Sequence, residues 1–172
     1  MYYIRQTLKL ISEHTSKTYT TDFRGNFDQY LFIMKHKIGT KEKPMALKTP
    51  PLSSEYTMHV DEKDGKEVLV CTVGKTVLLY NINIIDDLHK MLKKHGDWME
   101  LASADEQKPA KEGTVEAWGR SEKNPVKGWY GLKKGLRGRV GMYIPPLMEA
   151  LGLAEVTHDA KGNKIKSKKY GG

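Results

Sequence analysis

The sequence predicts an α+β protein, because its apolar residues follow the helical period in some stretches and the strand period in others. Apolar residues occupy the i, i+3, i+4 and i+7 positions of residues 27–37, which is typical of one helix face. They alternate with polar residues over 55–60, as in a half-buried strand. Asp64-Gly65 and Gly74-Lys75 then supply two tight-turn signals, which favour antiparallel pairing of consecutive strands.

The N-terminal half, residues 1–82, is expected to combine helices with a three-stranded antiparallel meander. The helices are predicted over 2–14 and 27–37, and the strands over 55–60, 67–73 and 76–82. Gly39 is placed to end the second helix. Residues 40–54 carry three prolines among polar residues and are interpreted as a loop.

The C-terminal half, residues 83–172, is expected to alternate short helices and short strands. In order, it is predicted to contain a helix over 84–95, a strand over 98–101, a helix over 114–119, a helix ending near 151 and a hairpin over 154–169. Gly96 follows the first helix as a stop signal, and Thr114 can cap the second. The boundary at residue 82 has no linker, so one core shared by both halves is the alternative.

The composition limits the classes of protein to which the chain can belong. The chain has 172 residues, 29% of them charged, which is typical of a globular protein and enough to bury a core. Its only cysteine, Cys71, excludes an intramolecular disulfide and fits a reducing cytoplasm. No run approaches the ~18 apolar residues of a membrane span, and the N-terminus lacks a signal-peptide pattern. A cytoplasmic protein without membrane contact is therefore expected.

Positive charge is concentrated in two segments. Residues 123–139 carry six lysines and arginines, and residues 161–169 carry five lysines, with no acidic residue in either segment. Because the whole chain has a net charge of +8, the other residues are net acidic. A focused positive field attracts polyanions such as nucleic acid. The alternative is a solvated surface followed by a basic tail.

A motif inside the C-terminal half resembles the winged-helix domain, a variant of the helix-turn-helix. Residues 144–153 read Ile-Pro-Pro-Leu-Met-Glu-Ala-Leu-Gly-Leu and precede a basic hairpin. This run resembles a recognition helix followed by its wing. It is similar to the terminal modules of the bacterial selenocysteine-specific elongation factor, which carry an Ile-Pro-x-Leu-x-x-Leu run. The resemblance implies contacts to nucleic acid from the residues before 151 and from the wing.

The positions that the resemblance and the charge pattern select are mostly lysines. The predicted nucleic-acid-binding residues are Lys127, Lys133, Lys134, Arg137, Arg139, Lys161, Lys164, Lys166, Lys168 and Lys169. Trp129 and Tyr130 lie within the first basic segment. They are candidates for stacking on unpaired bases, although anchoring of the segment to the core is the favoured interpretation.

Two conformations are open for residues 128–141. A helix running from 130 to 151 would be kinked by Pro145 and Pro146, and its four glycines would each cost about 1 kcal/mol relative to alanine. The alternative is a basic glycine-rich loop, with a proline starting a short helix. A helix in the major groove could distinguish base edges, whereas a loop would mainly position phosphates.

Common catalytic and cofactor motifs are not found. Val73-Gly74-Lys75-Thr76 resembles the end of a phosphate-binding loop, but Leu69 stands where the motif requires its first glycine. The six histidines show no metal-ligand spacing, and the glycines never form Gly-x-Gly-x-x-Gly. Residues 103–113, which include the pair Asp105-Glu106, are interpreted as a solvated surface loop. No catalytic residue, metal or cofactor is therefore expected.

The sequence predicts a nucleic-acid-binding protein that is not an enzyme, with duplex DNA the first choice of target and RNA the second. A homodimer formed through the N-terminal half is also expected, from the two-faced apolar strands. One alternative is a protein-interaction module on a winged-helix scaffold, without nucleic-acid binding. Another is an enzyme on a phosphorylated substrate, with Arg137 and Arg139 clamping phosphate, although no base or nucleophile is visible.

Overall fold

The computed structural model describes residues 36–168. The predicted helix over 2–14 and nearly all of the helix over 27–37 lie outside the described residues. Residues 36–38 are helical, and Gly39 follows them with φ of 89°, a left-handed conformation that suits glycine. The predicted α+β class is confirmed, since helices and antiparallel sheets are both present.

A four-stranded antiparallel sheet forms the first half of the described chain. Its strands are β1 (Met45–Lys48), β2 (Glu55–Lys63), β3 (Lys66–Val73) and β4 (Thr76–Asn81), in the spatial order β1-β2-β3-β4. Both predicted turns are present. Asp64 and Gly65 have φ of 53° and 73°, and Gly74 has φ of 56°, so each two-residue turn places glycine at a left-handed position.

Strand β1 corrects the prediction of a loop over 40–54. The prolines flank this strand and do not interrupt it, so they mark its limits. Leu47 pairs with Tyr56 of β2, and both side chains are buried. The four residues are too few to show a convincing strand period between prolines, which is why the pattern was misleading.

Between the sheet and residue 168, three helices lie at or near the predicted positions. They are α1 (Ile84–His95), α2 (Val115–Trp118) and α3 (Val140–Ala150). Gly96 ends α1 with φ of 78°, as expected for a left-handed cap. The Thr114 hydroxyl accepts a hydrogen bond from the Ala117 N–H at the start of α2, which is the predicted cap.

The glycine-rich segment adopts the loop alternative as far as Arg139, so the continuous helix from 130 is wrong, and the helix after the loop begins before the prolines. The segment is a loop as far as Arg139, but the helix begins at Val140, so Pro145 and Pro146 lie inside it and do not start it. Each proline removes one backbone hydrogen bond from the helix. The start of α3 is stabilised by Glu116, whose carboxylate accepts N–H groups of Arg139 and Gly141 at 3.0 and 2.8 Å.

A second, three-stranded antiparallel sheet lies in the C-terminal half. It contains β5 (Met99–Glu100), β6 (Ala154–Val156) and β7 (Lys164–Ser167), in the order β5-β7-β6. The hairpin of β6 and β7 with its connecting loop is called the wing.

Buried side chains on both sides of residue 82 form one hydrophobic cluster. The sheet contributes Met58 and Leu69, and helix α3 contributes Ile144. Two tyrosines link the sheet to the later segments: the Tyr56 hydroxyl donates to the Tyr143 carbonyl at 2.8 Å, and the Tyr80 hydroxyl donates to the Gly138 carbonyl at 3.1 Å. Over residues 36–168, the core is therefore shared across the predicted boundary.

Candidate nucleic-acid interface

Arg137 of the glycine-rich loop is paired with an acidic residue. Its Nε donates to Glu106 Oε1 at 2.7 Å, its Nη2 contacts the same oxygen, and its backbone N–H donates to Glu106 Oε2 at 3.1 Å. The hydrogen bonds and charge of Arg137 lower the pKa of the Glu106 carboxyl, even though partial burial opposes this shift. The guanidinium is thus already occupied by a carboxylate.

Arg139 is held in the same way by the neighbouring acid. Its Nε donates to Asp105 Oδ1 at 2.6 Å, and the hydrogen bond and charge of Arg139 lower the pKa of the Asp105 carboxyl. The backbone of Arg139 has φ of 63°, a left-handed conformation fixed by the Glu116 carboxylate and by the Ala104 carbonyl, which accepts its N–H. Both predicted arginines therefore hold the loop in place.

A buried ion pair fixes the loop that carries these acids. Glu116 has no exposed surface, and its carboxylate contacts the Arg120 guanidinium. Arg120 also donates to the carbonyls of Ala104 and Lys108 at 3.0 and 2.9 Å. Gly138 packs so tightly here that a Cβ atom would lie 2.5 Å from the Ala104 carbonyl oxygen. Residues 104–108 and 137–139 are consequently locked together.

The two aromatic residues of the first basic segment have different surroundings. Tyr130 is completely buried, stacks on Trp118 at a ring distance of 5.2 Å and donates its hydroxyl to Asp87 at 2.7 Å. It anchors the segment and presents no ring face to a base. Trp129 is half-buried, and the Arg120 and Arg137 guanidinium groups each lie 4.6 Å from its ring centre.

The lysines of the first basic segment are exposed. Lys127 and Lys134 have no acidic partner among residues 36–168, and the Lys133 ammonium contacts only the Val77 carbonyl oxygen, at 3.5 Å. Residues 130–132 run along the edge of β4, because Leu132 N–H donates to the Leu79 carbonyl at 2.8 Å. Lys133 and Lys134, the loop lysines, follow directly and face solvent.

The wing carries a second group of exposed lysines. Lys161, Lys164 and Lys168, the wing lysines, have no acidic partner within the described part of the chain. Lys166 differs, because its ammonium lies 3.4 Å from Glu155 Oε2 and 4.7 Å from the Trp98 ring centre. Lys169 lies outside the described residues.

The loop lysines and the wing lie toward the same end of the four-stranded sheet. In an antiparallel meander, the β1–β2 and β3–β4 turns share one end. The wing contacts the first turn, since His158 Nδ1 lies 2.8 Å from the Pro50 carbonyl oxygen. Lys133 contacts Val77, beside the second turn. Four strands span only about 14 Å from β1 to β4 at ~4.8 Å per step, so the two turns marked by these contacts lie close together.

Helix α3 is not presented as a recognition helix. Eight of its eleven residues are buried, and its only charged side chain is Glu149, which contacts His158 of the wing at 3.0 Å. A helix that reads the major groove needs polar or basic side chains directed at base edges. The part of the resemblance that implies base contacts therefore has no matching side chains on α3.

The sequence analysis did not identify the acidic residues that pair with the arginines, or the buried ion pair beside them. It placed Asp105 and Glu106 in a solvated loop, but both are paired with arginines. It did not single out Glu116 and Arg120, although their i, i+4 spacing on a predicted helix favours an ion pair. The residues outside the two basic segments have a net negative charge. This was the sequence signal that some arginines or lysines of those segments would be paired with acids.

Other kinds of site are not apparent in the described residues. Between residues 36 and 168, no three His, Cys, Asp or Glu side chains are grouped to hold a metal ion. No helix in this range is long and apolar enough to cross a membrane. Burial raises the pKa of the Cys71 thiol, which favours the unreactive protonated form.

The chain belongs to the family described as Family of unknown function (DUF6855), whose model matches residues 37–168. No curated protein and no solved structure matches the chain.

Proposed function

We propose that this member of the family binds nucleic acid, with duplex DNA as the first choice of target and RNA as the second. The observation that carries this proposal is that the loop lysines and wing lysines are exposed without acidic partners among residues 36–168, and that Lys133 and the wing each contact the sheet near turns at the same end. Lysine ammonium groups at such positions neutralise phosphates and release counterions, which drives binding.

The order of elements supports a winged-helix-like contribution from the wing. Helix α1, strand β5, helices α2 and α3 and strands β6 and β7 follow one another, with β7 between β5 and β6 in the sheet. In winged-helix domains both the recognition helix and the wing contact the duplex, but α3 is buried here. The proposed contacts are therefore to backbone phosphates, which position the protein without reading sequence.

The proposal is tested by a salt titration with a fluorescein-labelled duplex of random sequence, a hairpin RNA and a single strand. The five lysines predict a slope of log K against log salt of up to about −4.5 for duplex DNA. The change Lys161→Gln, Lys164→Gln and Lys168→Gln should flatten that slope by roughly 3 and lower the affinity at low salt. Fluorescence anisotropy measures both quantities.

A matched control carries the same charge change elsewhere. Lys41, Lys63 and Lys66 are exposed near the opposite end of the sheet, so their replacement by glutamine should leave the slope nearly unchanged. Equal effects of the two triple variants would mean that only net charge matters. Binding no tighter than millimolar at low salt for every probe would overturn the proposal, and protein partners of the wing would then be sought.

The proposal also includes a cytoplasmic location and a homodimer. A cytoplasmic location is favoured by the single cysteine, which is free and buried. The homodimer expected through the N-terminal half is tested by sedimentation equilibrium of the full chain. A monomeric mass at tens of micromolar protein would contradict the predicted homodimer.

A further inference from the structure

His158 of the wing contacts two other elements of the structure. Its Nδ1 lies 2.8 Å from the Pro50 carbonyl oxygen, in the β1–β2 turn. Its Nε2 lies 3.0 Å from Glu149 Oε2, near the end of α3. The wing, the turn and the helix therefore meet at one partly exposed imidazole ring.

Both partners of the His158 ring are hydrogen-bond acceptors. A carbonyl oxygen carries no proton, and an ionised carboxylate is likewise an acceptor only. The Glu149 carboxylate also accepts the Val156 N–H, at Oε1 and 3.3 Å. A neutral imidazole has one N–H group, whereas an imidazolium has two. Both contacts of His158 are therefore hydrogen bonds only while the ring is protonated.

The contact to Pro50 is the one that a neutral ring loses first. Two consecutive prolines fix the φ angles of the turn, and the Leu52 N–H donates to the Thr49 carbonyl at 2.7 Å, so the Pro50 carbonyl is held in place. With one proton left, the ring is stabilised more by donating to the carboxylate, because hydrogen bonds to charged groups are the stronger ones. The Nδ1 lone pair then faces the lone pairs of the Pro50 oxygen, which weakens this contact.

We propose that His158 is a pH-sensitive switch that holds the wing against the β1–β2 turn when it is protonated and releases the wing when it is neutral. Histidine ordinarily changes its charge between pH 5 and 8. The contact is thus complete in mildly acidic solution and is lost as the pH rises. This inference is independent of nucleic-acid binding, although the segment that is released carries the wing lysines.

The charged groups around the ring leave Glu149 as its main electrostatic partner. Glu149 is the only charged side chain of α3, and residues 49–54 of the turn carry no acidic or basic side chain. Several charges of the neighbouring strands are paired among themselves: Lys48 with Glu55, Glu100 with Lys111, and Glu155 with Lys166. The other charged side chains of the wing are Asp159, Lys161, Lys164 and Lys168. Among the described residues, Glu149 is the carboxylate that forms an ion pair with His158.

Amide hydrogen exchange of the full chain, followed by NMR at about pH 5.5 and about pH 8, tests the switch. The Leu101 N–H donates to the Asn163 carbonyl of the wing at 3.0 Å, and the Leu52 N–H is bonded within the turn, so both amides report on how firmly the wing is held. After correction for intrinsic exchange rates, their protection should be roughly three- to tenfold higher at the lower pH, from one partly exposed hydrogen bond to a charged group. Equal protection at the two pH values would overturn the proposal.

Glu149→Gln separates the switch from other effects of pH, because a glutamine amide both accepts and donates hydrogen bonds. Its oxygen can accept the Val156 N–H, while its NH₂ group donates to Nε2 of the neutral ring. The remaining proton then stays on Nδ1 and bonds to Pro50. This variant should keep the high protection at both pH values. A pH dependence as large as that of the wild type would contradict the proposed switch.

His158→Phe should show the low protection at both pH values, because it removes both hydrogen bonds of the ring. The matched control is His95→Phe, at an exposed histidine in the last turn of α1, which should keep the pH dependence of the wild type. A dependence that persists in the His158 variant would assign the effect to another group. If that variant does not fold, Glu149→Gln alone decides the outcome, and neither measurement requires nucleic acid.

Discussion

The two arginines of the first basic segment and the wing lysines contribute the same kind of charge to the sequence but have different surroundings in the structure. In the glycine-rich loop, Arg137 and Arg139 are paired with Glu106 and Asp105, so their charge holds two loops together. In the wing, Lys161, Lys164 and Lys168 have no such partners within residues 36–168. The comparison teaches that a local excess of positive charge predicts a binding surface only where no acid from a distant segment neutralises it.

Residue type follows the same division. Arginine forms several hydrogen bonds in a fixed plane, which suits the paired, partly buried positions of the loop. Lysine carries a strongly hydrated charge on a flexible chain, which suits an exposed contact to phosphate. In the first segment the two positions paired with distant acids are arginines, and the wing contains only lysines.

The largest expected effect is a loss of folding stability when the buried ion pair beside the paired arginines is broken. Replacing the fully buried Glu116 by alanine leaves Arg120 without its carboxylate and removes the acceptor for the Arg139 and Gly141 N–H groups. Breaking a buried ion pair in this way costs about 3–5 kcal/mol. Urea unfolding followed by tryptophan fluorescence measures the loss in free energy of unfolding.

The control for this substitution is Glu112→Ala, in the exposed part of the same connection. A surface change of this kind should stay within about 0.5 kcal/mol. A loss below about 1 kcal/mol in the Glu116 variant would show that the two loops do not depend on the buried pair.

A smaller effect is expected when the paired arginines are released. Asp105→Asn together with Glu106→Gln removes the carboxylate charges that neutralise Arg139 and Arg137. If these arginines then reach phosphates, the affinity for duplex DNA rises and the salt slope steepens by up to about 2. Anisotropy titrations at several salt concentrations measure both.

Asp61→Asn with Glu62→Gln is the matched control, because it removes the same two types of charge at the opposite end of the sheet. An equal gain in the control would assign the effect to net charge. Unchanged affinity in the Asp105 and Glu106 variant would mean that the two arginines do not reach phosphates even without their acidic partners.

Much of the fold was predictable because it depends on local signals. The stop at Gly96, the cap at Thr114 and the turn at Asp64-Gly65 each follow from one residue type at one position. Strand β1 was missed because it is short and lies between prolines. The start of α3 at Val140 was also missed, because its cap comes from a residue more than twenty positions earlier, Glu116.

The candidate site was less predictable, since it depends on contacts between distant segments. The chain does not reveal that Arg137 meets Glu106, a residue 31 positions away. It also gives no sign that the wing contacts the Pro50 turn, 108 positions from His158. Lysines without partners can be recognised only after every nearby acid has been placed, which requires the tertiary structure.

The smallest effect, and the most specific to the paired arginines, is a dependence of stability on pH. Arg139 and Arg137 lower the pKa values of the Asp105 and Glu106 carboxyl groups. The resulting stabilisation is complete above the ordinary pKa values of ~3.9 and ~4.3, and it is lost as the pH falls through the folded-state pKa values. The advantage of the wild type over the Asp105→Asn, Glu106→Gln variant should therefore shrink as the pH falls from 5 to about 3. Urea unfolding at each pH measures it, and an advantage independent of pH would mean that these ion pairs contribute nothing to holding the two loops together.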